Sequence, residues 1–181
     1  MKRSFANLAA SVSLLFALVS VISSVQASDF DFGKEKFKVG DKAPDFTLKD
    51  LNGQPVSLSS FAGEKVVILA FFSIRCGTCI MEAPYLEALH KKYDGQMALM
   101  AINTDGVDAK LAAETMKEVG FDITYPVLLD PDFLATDTYT NFLVPLTLVI
   151  DKGGIIRYIH TGFEEGSEKE YEKALKKALS S

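Results

Sequence analysis

The sequence predicts an α/β protein in which a mixed central sheet is flanked by helices on both faces and preceded by a β-hairpin. Three observations carry this. Val66 to Phe72 is an unbroken apolar run, as in a strand covered on both sides. Strand-like segments then alternate with helical ones, the crossovers that parallel neighbours require. Near the end, Lys-Gly-Gly at 152–154 separates two short apolar stretches, which is the pattern of an antiparallel hairpin.

Each element follows in order. Residues 28–40 place Lys34, Lys36 and Lys38 among Phe32, Phe37 and Val39, and read as a leader settling into an edge strand ended by Gly40. Asp45–Asp50 and Pro55–Leu58 alternate apolar with polar around an Asn-Gly turn signal, a hairpin. The central strand 65–72 leads at once into a helix over 76–93. Met97–Asn103 is a second buried strand, Asp108–Val119 a helix closed by Gly120, Tyr125–Asp130 a strand and Asp132–Tyr139 a short helix. Leu146–Asp151 and Ile155–His160 form the closing hairpin. Ser167, with Glu170 three residues on, has capping-box spacing and opens the last helix.

Lys2 and Arg3, an apolar, serine-dotted stretch from Leu8 to Val25, and Val-Gln-Ala at 25–27 have the layout of a secretory signal. Cleavage after Ala27 is expected, with an uncleaved anchor as the other reading, so that residues 1–27 are the signal and 28–181 a single domain. The 154 residues left are enough to bury one core without staples. They carry 17 basic residues, 19 less Lys2 and Arg3, against 24 acidic ones, a net charge of −7 with no basic cluster. Nucleic acid is therefore excluded as a partner.

The only two cysteines, Cys76 and Cys79, sit where the apolar run stops and a helix starts. Unpaired N–H groups and the positive dipole end favour a thiolate at Cys76, and the i, i+3 spacing puts Cys79 on the same helix face, in reach for a disulfide. Such a pair can attack a partner disulfide through Cys76 and resolve the mixed disulfide through Cys79. A structural disulfide would restrict the unfolded chain little over so short a loop. Zinc would have to enlist His90 and His160, neither at motif spacing. His90, followed by Lys91 and Lys92, reads as a solvated surface residue, and His160 as a structural one. No haem attachment is implied, since Ile80 stands where that motif needs His.

Strand, Phe-Phe-Ser-Ile-Arg-Cys-Gly-Thr-Cys at 71–79, a helix carrying Glu82 and Pro84, and Val-Pro-Leu-Thr-Leu-Val-Ile-Asp at 144–151 together resemble the thioredoxin fold. Ala-Pro-Asp-Phe-Thr-Leu-Lys-Asp-Leu-Asn-Gly at 43–53, with the inserted strand and helix around 125–139, narrows the likeness to exported TlpA/ResA-type thiol-disulfide oxidoreductases. The resemblance implies that Cys76 attacks, Cys79 resolves, and Pro145 follows a cis peptide bond facing them, leaving the Val144 backbone to bind an extended client. It also implies an acidic residue near the pair, at Glu82, able to trade protons with the resolving thiol if burial raises its pKa. The other reading of Glu82 is a solvated glutamate favoured by the helix dipole. Departures are Arg75 in place of the usual aromatic, Ala70 in place of a frequent Asp or Asn, and Gly77-Thr78 without the common proline. Arg75 could lower the Cys76 pKa by direct charge or simply project into water, and it is grouped with Val144 and Pro145 as bordering the client.

The function implied is reduction of disulfides in exported proteins, apocytochrome c among them, with a membrane thiol carrier as electron donor and no cofactor. A periplasmic or other extracytoplasmic location follows. Two rivals stand beside it. A peroxide reductase shares the Ala-Pro-Asp-Phe opening, but Leu69 and Ser73 occupy the positions of its Pro and Thr. A copper carrier would use the thiols as soft ligands.

Overall fold

A computed structural model describes residues 36–140 and 142–180. The expected signal at 1–27, and the start of the domain at 28–35, lie outside the described residues. Among the described residues, no helix is long and apolar enough to cross a membrane.

The elements are β1 (Thr47–Asp50), β2 (Pro55–Ser57), a 3-10 turn (Leu58–Phe61), β3 (Val66–Phe72), α1 (Gly77–Lys92), β4 (Met97–Asn103), α2 (Ala109–Glu118), β5 (Val127–Leu129), α3 (Leu134–Tyr139), β6 (Leu146–Ile150), β7 (Ile156–Thr161) and α4 (Ser167–Leu179). They build a seven-stranded sheet in the order β2-β1-β5-β4-β3-β6-β7. β3, β4 and β5 run parallel, while β6 pairs antiparallel with β3 and β7, and β1 with β2 and β5. The sheet is thus mixed, and the N-terminal hairpin extends it at the β5 edge.

β3 lies at the centre because it is apolar on both faces. Val66, Ile68, Ala70 and Phe72 face a layer containing Leu86 and Leu89 of α1, Met116 of α2 and Tyr171 and Leu175 of α4. Val67, Leu69 and Phe71 face the other layer, with Leu58, and Ala135 and Tyr139 of α3. The period-2 pleat divides one apolar run between two cores.

Two expectations are corrected. The described part of the 28–40 segment, residues 36–40, forms no strand; instead Gly40 N–H donates to Ile156 O at 2.8 Å and Ala43 N–H to Gly154 O at 2.9 Å, tethering an irregular stretch to the last hairpin. Gly40 has φ of 103° and Pro44 lacks a donor, so a regular ladder cannot run through. The capping box does not form either. Gly166 is the N-cap and Ser167 is already helical, its hydroxyl accepting from Glu164 N–H at 3.3 Å, while Glu168 accepts from Gly166 N–H at 2.8 Å.

Candidate active site

The parallel strands β3 and β4 end at the same edge of the sheet, and the chain leaves β3 through Ser73, Ile74 and Arg75 into α1. That loop is held from below. Asp105, two residues past β4, accepts hydrogen bonds from Ser73 Oγ at 2.6 Å, Ile74 N–H at 2.8 Å and Asn103 Nδ2 at 2.7 Å. Ser73 Oγ in turn accepts from Arg75 N–H at 3.1 Å. The backbone entering the cysteine is therefore fixed by a carboxylate from the β4–α2 connection.

Cys76 is the N-cap of α1, with extended backbone (φ −91°, ψ 108°). Its sulfur is bonded to Cys79 across a Cα–Cα separation of 5.2 Å. Two donors point at Cys76 Sγ: Cys79 N–H at 3.2 Å and, with its hydroxyl turned toward the sulfur, Thr78 Oγ1 at 3.2 Å. Both would stabilise a thiolate after reduction, in addition to the helix dipole. Cys76 is half-buried and Cys79 only 1% exposed, so one sulfur is reachable and the other is covered. Val144 O lies 3.7 Å from Cys76 Sγ, and the Val144–Pro145 bond is cis. The structure thus brings Cys76, Cys79, Val144 and Pro145 together. Arg75 is exposed beside them.

Glu82 is 2% exposed, which overturns its reading as a solvated glutamate. One turn after Cys79, it reaches between β6 and α4, where Oε1 accepts from Tyr171 Oη of α4 at 2.8 Å and from Thr147 Oγ1 of β6 at 2.9 Å. Burial pushes its pKa up to about 7, against the opposing pull of the two hydroxyl donors. Ala70, which replaces a frequent polar residue, sits opposite Thr147 in the β3–β6 ladder, so the polar group on this face comes from the neighbouring strand. Sequence reasoning missed Thr147, Tyr171, Thr78 and Asp105. A signal for Thr147 was available, since strand alternation puts it on the same face as Pro145 and Val149.

His90 needs correction. It is half-buried rather than solvated, its ring edge-on to Tyr125 at 6.0 Å and its Nδ1 buried without a hydrogen-bond partner. The helix turn that exposes Lys91 and Lys92 points His90 back at Tyr125. His160 packs between Tyr158 and Tyr171, at 6.3 and 5.7 Å, as a structural residue. Among the described residues, no group of three or more His, Cys, Asp or Glu side chains is arranged to hold a metal ion.

Residues 38–175 match the Redoxin family model. The chain is 34% identical over 131 residues to the thioredoxin-like protein YneN of Bacillus subtilis, covering 72% of this chain and 76% of that one. It is 33% identical over 150 residues to the thiol-disulfide oxidoreductase ResA of Geobacillus kaustophilus, covering 82% and 84%. A crystal structure of a Chlorobium tepidum protein, proposed to be a thiol:disulfide interchange protein DsbE, superposes with a TM-score of 0.71 at 29% identity, covering 79% of this chain and 99% of that one.

Proposed function

The chain belongs to the redoxin family and is a thiol-disulfide oxidoreductase of the ResA type; from that premise we propose that it reduces disulfides in other exported proteins and serves cytochrome c maturation. The observation that carries the reading is the asymmetry of the pair: a reachable sulfur at a helix N-terminus with two donors aimed at it, and a covered sulfur three residues on.

In the reduced protein the Cys76 thiolate attacks one sulfur of the client disulfide, forming a mixed disulfide and releasing the client's other sulfur as a thiolate. Cys79, losing its proton, then attacks Cys76 Sγ, closes the Cys76–Cys79 disulfide and releases the second client sulfur. Two electrons pass from the protein dithiol to the client, whose two thiolates take up two protons, the one that Cys79 gives up and one from solvent, to which Cys76 had already lost its own. A membrane thiol carrier returns two electrons and restores the dithiol. Glu82, on the same helix face as Cys79, takes the Cys79 proton as that thiol becomes the attacking group, a role suited to a carboxyl with a pKa of about 7. Val144 and Pro145 receive the client backbone, and Arg75 borders it. The layout of residues 1–27 supports export, with residues 28–181 as the working domain.

Reduction of insulin or of a peptide disulfide tests this. Turnover is expected in the wild type and absent in Cys76→Ser, whereas Cys79→Ser should accumulate the mixed disulfide. Equilibration of the pair against glutathione tests the direction. A pair more oxidising than the glutathione couple would make the protein an oxidant and remove the reductant role.

A further inference from the structure

We propose that Phe133, Phe142 and Leu143 form an apolar pad beside the disulfide that receives one large hydrophobic side chain of the client, two or three residues from its half-cystine. The inference rests on the disulfide-exchange reading and specifies which polypeptides that site prefers. Val144 O is 3.7 Å from Cys76 Sγ, so a client sulfur that reaches Cys76 brings its chain against the 142–144 segment. Phe142 precedes Val144 by two residues, at most about 7 Å of chain, which is within the reach of two residues of an extended client.

The outer part of the pad is exposed, with Phe142 55% and Leu143 39% accessible, while Phe133 is half-buried beneath it. It is also built. Phe133 and Phe142 have φ of 56° and 60°, a left-handed conformation that bulky residues rarely take. Their rings meet at 6.2 Å with planes 59° apart. Phe133 lies so close over Gly106 that a Cβ there would stand 2.7 Å from its Cζ. The turn is pinned from beneath by Thr140, 2% exposed, whose Oγ1 accepts from Phe142 N–H at 2.9 Å and donates to Thr136 O at 3.1 Å. A second brace is Asp130, 1% exposed, which accepts from Thr136 N–H at 2.7 Å. Backbone strain that persists only because its surroundings impose it points to use, and an exposed ring gains nothing from the core.

The occupant is a client and not a fixed partner because the pad continues directly into the residue touching the reacting sulfur. A permanent cover would close Cys76 to each new disulfide.

The experiment uses two peptides of equal length and charge with one disulfide each, bearing Phe or Leu in one, and Ser or Asn in the other, at the positions two and three from the cysteine. Wild type should show a kcat/KM ratio of about tenfold for the apolar peptide, as expected for partial burial of one large side chain. Phe142→Gly, which removes the ring and suits the left-handed backbone, should bring the ratio toward one. A wild-type ratio near one, or a variant that slows both peptides equally, overturns the pad while leaving disulfide exchange intact. A wild type that turns over neither peptide overturns the exchange reading itself. Concentration-dependent dimerisation of the wild type that is lost in Phe142→Gly would show that a second copy occupies the pad and also overturns it.

Discussion

Glu82 is turned inward by the same helix that Cys76 caps, and its carboxyl meets Thr147 and Tyr171 rather than water. Its folded pKa of about 7 lies above the ordinary 4.5, so the folded state holds a proton that the unfolded chain gives up between those values. Below pH 4.5 the group is neutral in both states and costs nothing; as pH rises through 7 the buried charge costs about 3 kcal/mol. Glu82→Gln keeps an acceptor for both hydroxyls and removes the charge. Urea unfolding of the oxidised protein should therefore show the variant gaining stability over wild type as pH rises from 4.5 to 8, with little difference at the acid end. A flat difference across that range contradicts the buried-charge account. The sequence left Glu82 open between a buried and a solvated reading, because its partners stand 65 and 89 residues away and no local pattern announces them. Cys76 and Cys79, by contrast, were legible as a pair since spacing and helix position are local properties.

At the scale of elements, the active-site loop depends on the β4–α2 connection more than on its own residues. Asp105→Ala would strip partners from Ile74 N–H, Ser73 Oγ and the buried Asn103 Nδ2, a loss of about 1–3 kcal/mol by urea unfolding. Gly106→Ala meets both a φ of 67° and the ring of Phe133, and should cost about 1–2 kcal/mol while slowing turnover of apolar peptides. A variant as stable as wild type would show that Phe133 moves freely. The hairpins and the central strand were readable from alternation and from the Val66–Phe72 run. The edge strand before Gly40 was not, because alternation alone says nothing of the positive φ that interrupts it. The last helix began where expected, yet its cap is Gly166, since the capping-box spacing fits Ser167 equally well one residue inside.

For the whole molecule, two apolar layers on a seven-stranded sheet hold the fold, and the disulfide adds little to them. Closing a four-residue loop restricts the unfolded chain by about 2 kcal/mol in the chain-entropy account, a minor part of a typical domain's stability. Reduction, or the Cys76→Ser/Cys79→Ser double variant, should accordingly leave a cooperative thermal transition. Loss of that transition would make the pair a staple rather than a redox centre. The α/β class and the mixed sheet were legible because they follow from the order of apolar segments. The convergence of 76–79, 144–145 and 171 was legible only in part, since it requires knowing how strands β3 and β6 pair. Disulfide exchange by this molecule requires one sulfur of the reduced pair to be ionised and reachable while its companion is covered. Competitive alkylation of the reduced protein at pH 7, with each thiol located by peptide mapping, should label Cys76 much faster than Cys79, and Thr78→Val should slow Cys76. Equal and sluggish labelling of both thiols would contradict it.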